Sequence, residues 1–288
     1  MGRCNPCRKS KSHLRSETSG SMNDHRAHFE ANRALWNART ELHYASRFYD
    51  VEAFVNGKST LNSIELDLLG DVNDQELLHL QCHFGQDTLS LARSGARVTG
   101  LDLSDLAIAK ARELSDRCGI RAEFMEGNVL DRRAELEGKF DVVFTTYGTI
   151  GWLPELSAWA ANIAAYLKPG GRLVFAEFHP AIWMFSNDFS HVQYSYFNRE
   201  VIEENESGTY ADRDAPVQLP SFAWNHSLAD VLQALIDARL RIDVFREFDR
   251  SPYDCFQNTV ATADGQFMIN GLEGKLPMVY ALSASKNT

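Results

Sequence analysis

Polar side chains sit at the ends of several short apolar runs in this chain, where they could meet a ligand. His79-Leu-Gln81-Cys-His83-Phe-Gly85-Gln-Asp87-Thr reads as a strand passing through a short loop into a helix. The exposed amides of such a loop and of the helix N-terminus can hold a carboxylate or phosphate. A second run, Val98-Thr-Gly-Leu-Asp102-Leu103-Ser, places Asp102 17 residues beyond Gly85. A carboxylate at that strand end can accept hydrogen bonds from a ribose diol. Helix capping, its other use, falls more naturally to Ser104 or Asp105. His79, Cys82 and His83 could suggest a metal, but they point in alternating directions with no fourth ligand evident, and no metal site is expected.

These residues need a scaffold of strand ends, and the chain alternates strand and helix in the way that supplies one. ELLHLQC, ARVTGLDLS, RAEFMEGNV, KFDVVFTTYG and RLVFAEFHP read as strands. DTLSLARSG, DLAIAKARELSDRCG and a stretch from about 156 to 167, stopped by KPGG, read as helices between them. Short apolar strands alternating with amphipathic helices predict an α/β fold: a doubly wound, Rossmann-like, mostly parallel sheet with helices on both faces. In such sheets the ligand lies beyond the carboxyl ends of the strands, where strand order reverses.

Residues 22–70 read as an N-terminal helical cap, with Asn23 or Asp24 able to cap a helix carrying Phe29, Leu35, Trp36 and Leu42. The α/β domain covers 71–180 and resumes over 227–285, where Ser227 looks like the N-cap of a helix followed by two strands. Residues 181–226 break both periodicities, are rich in aromatic side chains and read as a substrate-side insertion after the fifth strand.

The formal charge of −10 is spread over 288 residues, and the first 21 hold five basic residues against Glu17, so the remainder is more acidic still. An acidic body repels phosphate backbones, so nucleic acid is not an expected partner. No apolar run approaches the ~18 residues of a membrane span, and no membrane partner is expected. Cys4, Cys7, Cys82, Cys118 and Cys255 form an odd, scattered set that fits a reducing, cytoplasmic setting. Residues 1–21 are basic and Ser-rich, lack the apolar core of an export signal, and read as a disordered tail or a cloning remnant.

The strand–loop–helix at HLQCHFGQDTLSLA, the VTGLDLS strand end, EGNV, FDVVFTTYG and LKPGGRLVFAEFHP together resemble class I S-adenosylmethionine-dependent methyltransferases of the small-molecule type. The likeness is close from about Leu77 to His179 and loose beyond. Where that family's first loop carries an acid and successive glycines, this chain has His79, Gln81 and His83, and only Gly85 matches. The resemblance implies S-adenosyl-L-methionine as cofactor. It implies that the loop from His79 through Gln81 and Gly85 seats the methionine end, that Asp102 takes the ribose and that Leu103 lies against the adenine. Asn128 would read the adenine amino group, or serve only as a turn residue after Gly127, and Val129 would supply a backbone donor. Asp87 would either cap its helix or meet the cofactor's ammonium. Thr145 and Tyr147 end the fourth strand, whose tip faces cofactor and acceptor in this family.

That tip lacks the Asp/Asn-Pro-Pro-Tyr/Phe pattern of amino-methyltransferases of nucleic acid bases. The expected reaction is therefore direct in-line methyl transfer to a small organic acceptor. His179, at the end of the fifth strand, is the expected proton acceptor with Tyr147 orienting it; the other use of His179 is to satisfy backbone groups at the turn. Trp36, Tyr49, Trp183, Trp224 and His226 are the expected acceptor-side residues, the insertion and the segment from Trp36 to Phe54 forming a cover. Two rivals share the fold: a noncatalytic methyltransferase-like binding module, and an NAD-dependent oxidoreductase, which would want a G-x-G-x-x-G turn.

Overall fold

This computed structural model describes residues 25–205 and 207–288. The readings of residues 1–21, and of Asn23 or Asp24 as a cap, lie outside them. Three helices lead the chain: α1 (Arg26–Ala45), α2 (Val51–Val55) and α3 (Ser63–Leu69). The alternating unit follows as β1 (Glu76–Leu80), α4 (Gln86–Arg93), β2 (Arg97–Asp102), α5 (Asp105–Cys118), β3 (Glu123–Glu126), β4 (Phe140–Thr146), α6 (Ser157–Tyr166) and β5 (Leu167–Phe178). The insertion carries a small ladder of β6 (Ile202–Glu204) and β7 (Ser221–Ala223). Then come α7 (Leu228–Asp237), β8 (Leu240–Phe248), a hairpin of β9 (Thr259–Ala261) and β10 (Phe267–Ile269), and β11 (Val279–Lys286).

Seven strands form the central sheet in the order β3-β2-β1-β4-β5-β11-β8. β1 to β5 run parallel, and β11 is antiparallel to both β5 and β8. The strand pleat explains the near-continuous apolar runs. Leu78, Leu80, Val143, Phe175, Tyr280 and Leu282 pack with Trp159 of α6 and Val231 and Leu235 of α7. The alternate residues Leu77, Val142, Phe144 and Val174 pack with Leu69 of α3 and Leu91 of α4 on the other face. Both faces are thus buried, and each fully buried aliphatic or aromatic side chain contributes roughly 1.5 to 3 kcal/mol.

Ser104 caps α5 by accepting from the Ala107 amide, and Ser227 caps α7 in a capping box with Asp230. KPGG departs from expectation. The helix ends at Tyr166, and the Lys-Pro-Gly-Gly run lies inside β5, where pairing shifts between Phe140–Leu167 and Val142–Arg172. Pro169 cannot donate to a ladder, so the strand carries it at an irregularity. The second excursion, between β8 and β11, carries the β9–β10 hairpin and was not anticipated. Its Phe256, Ile269 and Leu276 build an apolar cluster with Ile64 of α3 and Phe178 and Ile182 beside the insertion.

Candidate active site

β2 continues to one side of β1 and β4 lies on the other, so strand order reverses at the carboxyl ends of β1 and β4. A cavity of about 810 Å³ opens there. Its walls come from α1, the loop after β1, the ends of β2 and β4, the insertion and the β8–β11 excursion. That is the size range of a pocket for a cofactor-sized molecule.

The loop after β1 is built without most of the expected glycines. Gln81 and His83 nonetheless adopt φ of 55° and 49°, and Gly85 adopts 80°. Non-glycine residues pay roughly 1 to 2 kcal/mol each for that region, so surrounding contacts must hold them. The Gln81 amide Nε2 donates to the Thr149 carbonyl at 2.7 Å, and the His83 backbone amide donates to Asp102 Oδ2 at 2.8 Å. Gly85 is irreplaceable for a second reason: a Cβ there would stand 2.7 Å from the Phe124 ring.

Asp102 ends β2 in the cavity wall, and its other oxygen accepts from the Ser104 amide at 2.8 Å. Burial outweighs these donors and pushes its pKa up to about 6. Leu103, Gly127, Asn128 and Val129 line the cavity beside it. Asn128 Oδ1 accepts from the Leu130 amide, so it holds its turn as well as facing the cavity. Among the described buried polar atoms, Gln81 Oε1 lacks a hydrogen-bond partner. An orphaned acceptor beside the N-terminus of α4 and a carboxylate at a strand end suit a ligand that brings an ammonium group and a diol.

Not every expected residue reaches the site as foreseen. His79 lines the cavity but is spent on the fold: its Nδ1 pairs with Thr88 Oγ1 at 2.8 Å, and burial lowers its pKa to about 3. Gly85, not Asp87, is the N-cap of α4. Asp87 lies one residue into the helix, lines the cavity and accepts from Thr60 Oγ1, with a pKa raised by burial to about 6. Thr145 does not line the cavity; the pleat turns it to the α6 face with Val143, and Thr146 takes the cavity side.

His179 is the largest correction. Both ring nitrogens are engaged, Nε2 with Glu247 Oε1 at 2.9 Å and Nδ1 with the Ala181 amide at 3.0 Å. The residue is absent from the cavity wall, and burial pulls its pKa down despite Glu247. It satisfies the turn into the insertion and bridges to β8. Tyr147 does line the cavity, and its hydroxyl donates to Glu65 Oε2 at 2.8 Å.

The residues expected on the acceptor side converge. Trp36, Tyr49, Trp183, Trp224 and His226 all line the cavity. His226 is pinned through Nε2 to the Leu153 carbonyl at 2.7 Å, so it closes the wall rather than offering a free base. Trp36 meets Trp152 and His83 edge to face, at 5.4 and 5.3 Å between ring centroids. Tyr49 of the N-terminal segment and Tyr210 of the insertion share a short hydroxyl contact, so the two segments meet at the cavity wall.

Sequence reasoning missed Glu65, Glu177 and Tyr253. Glu177, the penultimate residue of β5, lies in the wall, and its carboxylate accepts from the amides of Gly148, Thr149, Ile150 and Phe178 and from the Thr149 hydroxyl. The signal for Glu65 was present as the Asn62-x-x-Glu65 capping pattern. Among the described residues, no group of three or more His, Cys, Asp or Glu side chains is placed to hold a metal ion. Nor is any described helix long and apolar enough to cross a membrane.

Residues 78–173 match the methyltransferase domain family. Over 136 residues the chain is 30% identical to a ubiquinone biosynthesis O-methyltransferase of Proteus mirabilis, covering 46% of this chain and 55% of that protein. The chain thus spans about half the length of the curated relatives it matches. In structure it is similar to an S-adenosylmethionine-dependent methyltransferase of Methanosarcina mazei, with a TM-score of 0.54 and 21% identity over 79% of this chain and 98% of that one. It is also similar to the geranyl diphosphate C-methyltransferase of Streptomyces coelicolor, solved with Mg2+, geranyl diphosphate and S-adenosyl-L-homocysteine, with a TM-score of 0.51 and 18% identity over 77% and 76% of the two chains. With the strand order and the switch-point cavity already in place, residues 78–173 carry a methyltransferase domain, on a sheet of the fold shared with those S-adenosylmethionine-dependent methyltransferase structures.

Proposed function

We propose that the cavity binds S-adenosyl-L-methionine and that the protein transfers its methyl group to a small organic acceptor by direct in-line displacement. The observation that carries this reading is Asp102, a carboxylate held by the His83 and Ser104 amides at the end of β2 in a cavity at the switch point of the sheet. Asp102 would hold the ribose diol, Leu103, Asn128 and Val129 the adenine side, and the loop of Gln81 and Gly85 the methionine end. The bound cofactor supplies a methyl group on a sulfonium, already a strong electrophile. The protein's part is then to orient the acceptor and exclude water, which aligned geometry and the aromatic walls around Trp36, Tyr49 and Trp224 serve. The acidic chain and a cavity of about 810 Å³ favour a small acceptor over a nucleic acid.

Titration calorimetry with S-adenosylmethionine, S-adenosylhomocysteine and NAD tests this. Binding of the first two without NAD is expected, and binding of NAD alone would replace the reading with an oxidoreductase. Failure to transfer methyl to any member of a broad phenol, amine and thiol panel, despite tight cofactor binding, would leave a binding module. Hydrogen exchange should show added protection over 181–226 and Trp36–Phe54 once S-adenosylhomocysteine is bound; equal rates would remove the cover.

The relocation of His179 yields its own expectation. His179→Ala should lower unfolding free energy by about 1 to 2 kcal/mol through its lost hydrogen bonds, while S-adenosylhomocysteine affinity stays unchanged. A general base would instead cost roughly 10² to 10⁴ in turnover. Such a loss of turnover at intact stability would return His179 to the chemistry.

A further inference from the structure

Glu65 is fully buried on α3, yet one of its oxygens belongs to another part of the chain. Oε1 accepts from the Asn62 backbone amide at 2.6 Å and from Asn62 Nδ2 at 3.1 Å, which completes the capping box. Oε2 instead receives the Tyr147 hydroxyl at 2.8 Å. Capping needs only the first oxygen. Tyr147 stands just beyond β4 with φ of 45°, a conformation that a bulky residue adopts only where neighbours enforce it. Its amide is tied to the Ala176 carbonyl at 2.8 Å, and the Tyr253 ring meets it edge-on at 5.1 Å between centroids. The Tyr147 ring lines the cavity, whereas Glu65 does not reach it. The carboxylate therefore meets the cavity through two neighbours, the Asn62 side-chain amide on one oxygen and the Tyr147 hydroxyl on the other, and of these the hydroxyl is the one that can both take and give a proton.

We propose that Tyr147 takes the proton of a neutral hydroxyl or amine acceptor and passes its own to Glu65, which is the proton sink of the methyl transfer. The proposal rests on the methyltransferase reading above and deepens it. The acceptor atom bonds to the methyl carbon as the carbon–sulfur bond breaks, with that electron pair staying on sulfur. The acceptor proton moves to the Tyr147 oxygen while the Tyr147 proton moves to Glu65 Oε2. One sulfonium charge and one carboxylate charge disappear together, so charge balances. Tyr147 is the catalytic residue here, and Glu65 is a positioning residue that acts through it.

The titratable groups facing the pair are Asp87 on α4 and Tyr253, with Cys255 beside the latter. The cations near α3 are engaged elsewhere. Arg246 of β8 pairs with Asp67, and Arg172 of β5 donates to the Leu69 carbonyl. Burial, with Asp87 adding to it, raises the Glu65 pKa to about 7. The ionised form, competent to take a proton, thus grows as pH rises through about 7, and methylation of a neutral acceptor rises with it.

The test compares wild type, Glu65→Gln and Tyr147→Phe with two probe acceptors, catechol and 4-nitrothiophenol. Catechol is neutral at pH 8, whereas the thiol is already ionised and brings no proton to transfer. Either substitution should lower catechol methylation by roughly 10² to 10⁴ and abolish the acidic limb near pH 7. Thiolate methylation should fall far less. Equal losses on both acceptors would mean mere disorder of the site, and an unchanged catechol rate would mean no relay; both overturn the proposal. Infrared titration of the S-adenosylhomocysteine complex is an independent readout. A carboxyl band titrating near pH 7 should vanish in Glu65→Gln and shift in Tyr147→Phe; titration in the ordinary carboxylate range, or indifference to Tyr147→Phe, overturns the relay even where neither probe is methylated. Wild type that fails to bind S-adenosylhomocysteine would instead sink the methyltransferase reading, and infrared titration of the free protein would still judge the Glu65–Tyr147 pair.

Discussion

Replacing Asp102 with alanine is expected to weaken S-adenosylhomocysteine binding by roughly 1.5 to 3 kcal/mol, a loss of about 10- to 150-fold. Hydrogen bonds from a diol to a charged acceptor are among the stronger neutral-to-ion contacts, and Asp102 meets the cavity with a carboxylate that no cation among the described residues pairs with. The same carboxylate orders the wall, because the amides of His83 and Ser104 donate to it. Asp102→Asn separates the two roles. It keeps the volume and one acceptor, so it should lose less stability than Asp102→Ala while still losing affinity. The pH dependence follows from the raised pKa of about 6. A ligand that prefers the carboxylate binds less well once that group is protonated, so affinity should fall as pH drops below about 6. Asp102→Ala should flatten that part of the profile, the remainder belonging to Asp87. Calorimetry across pH 5 to 8 reads both effects, and undiminished affinity in the alanine variant would remove the ribose assignment.

What the sequence made legible was the scaffold and the strand ends, because the pleat and the helical period write themselves into local patterns. Asp102 could be placed from its strand end alone, whereas Gly85 and Leu103 took their places from the family resemblance. Side-chain destinations were harder. The position of His179 after β5 fixes only its backbone, and its ring turned to Glu247, 68 residues away on β8. Thr145 failed by a single step of parity, since shifting one residue along a strand changes the face. Glu65 announced its capping role, but the partner of its second oxygen lies 82 residues on. Gln81 and His83 taught the opposite lesson: residues that looked like lost glycines hold the left-handed backbone that glycines would adopt, because Asp102 and Thr149 anchor them from other elements.

Glu177→Ala is the substitution expected to cost the most stability. Glu177 interrupts an apolar strand, and in a sequence it reads as a flaw in the run LVFAEF. In the fold it is the acceptor on which the tip of β4 hangs. Its two oxygens take the amides of Gly148, Thr149, Ile150 and Phe178 and the Thr149 hydroxyl, while the residue itself is 3% exposed. Tyr147 and Gly148, with φ of 45° and 73°, turn the chain so that these amides converge. Alanine would leave several of those donors buried without partners at roughly 1 to 3 kcal/mol each, and some would recover water. The expected net loss is about 4 kcal/mol, or a fall in melting temperature on the order of 10 °C. Glu177→Gln should lose less, because its remaining carbonyl oxygen still accepts, yet its amide now faces donors with donors. The consequence extends to the loop after β1, since Gln81 donates to the carbonyl of Thr149, the residue Glu177 grips most. Loosening that grip should weaken S-adenosylhomocysteine binding even in Glu177→Gln, where the fold survives. Thermal unfolding with calorimetry separates the outcomes: a variant as stable as wild type would show that water can replace the carboxylate, and stability loss with unchanged affinity would cut the link between the β4 tip and the loop after β1.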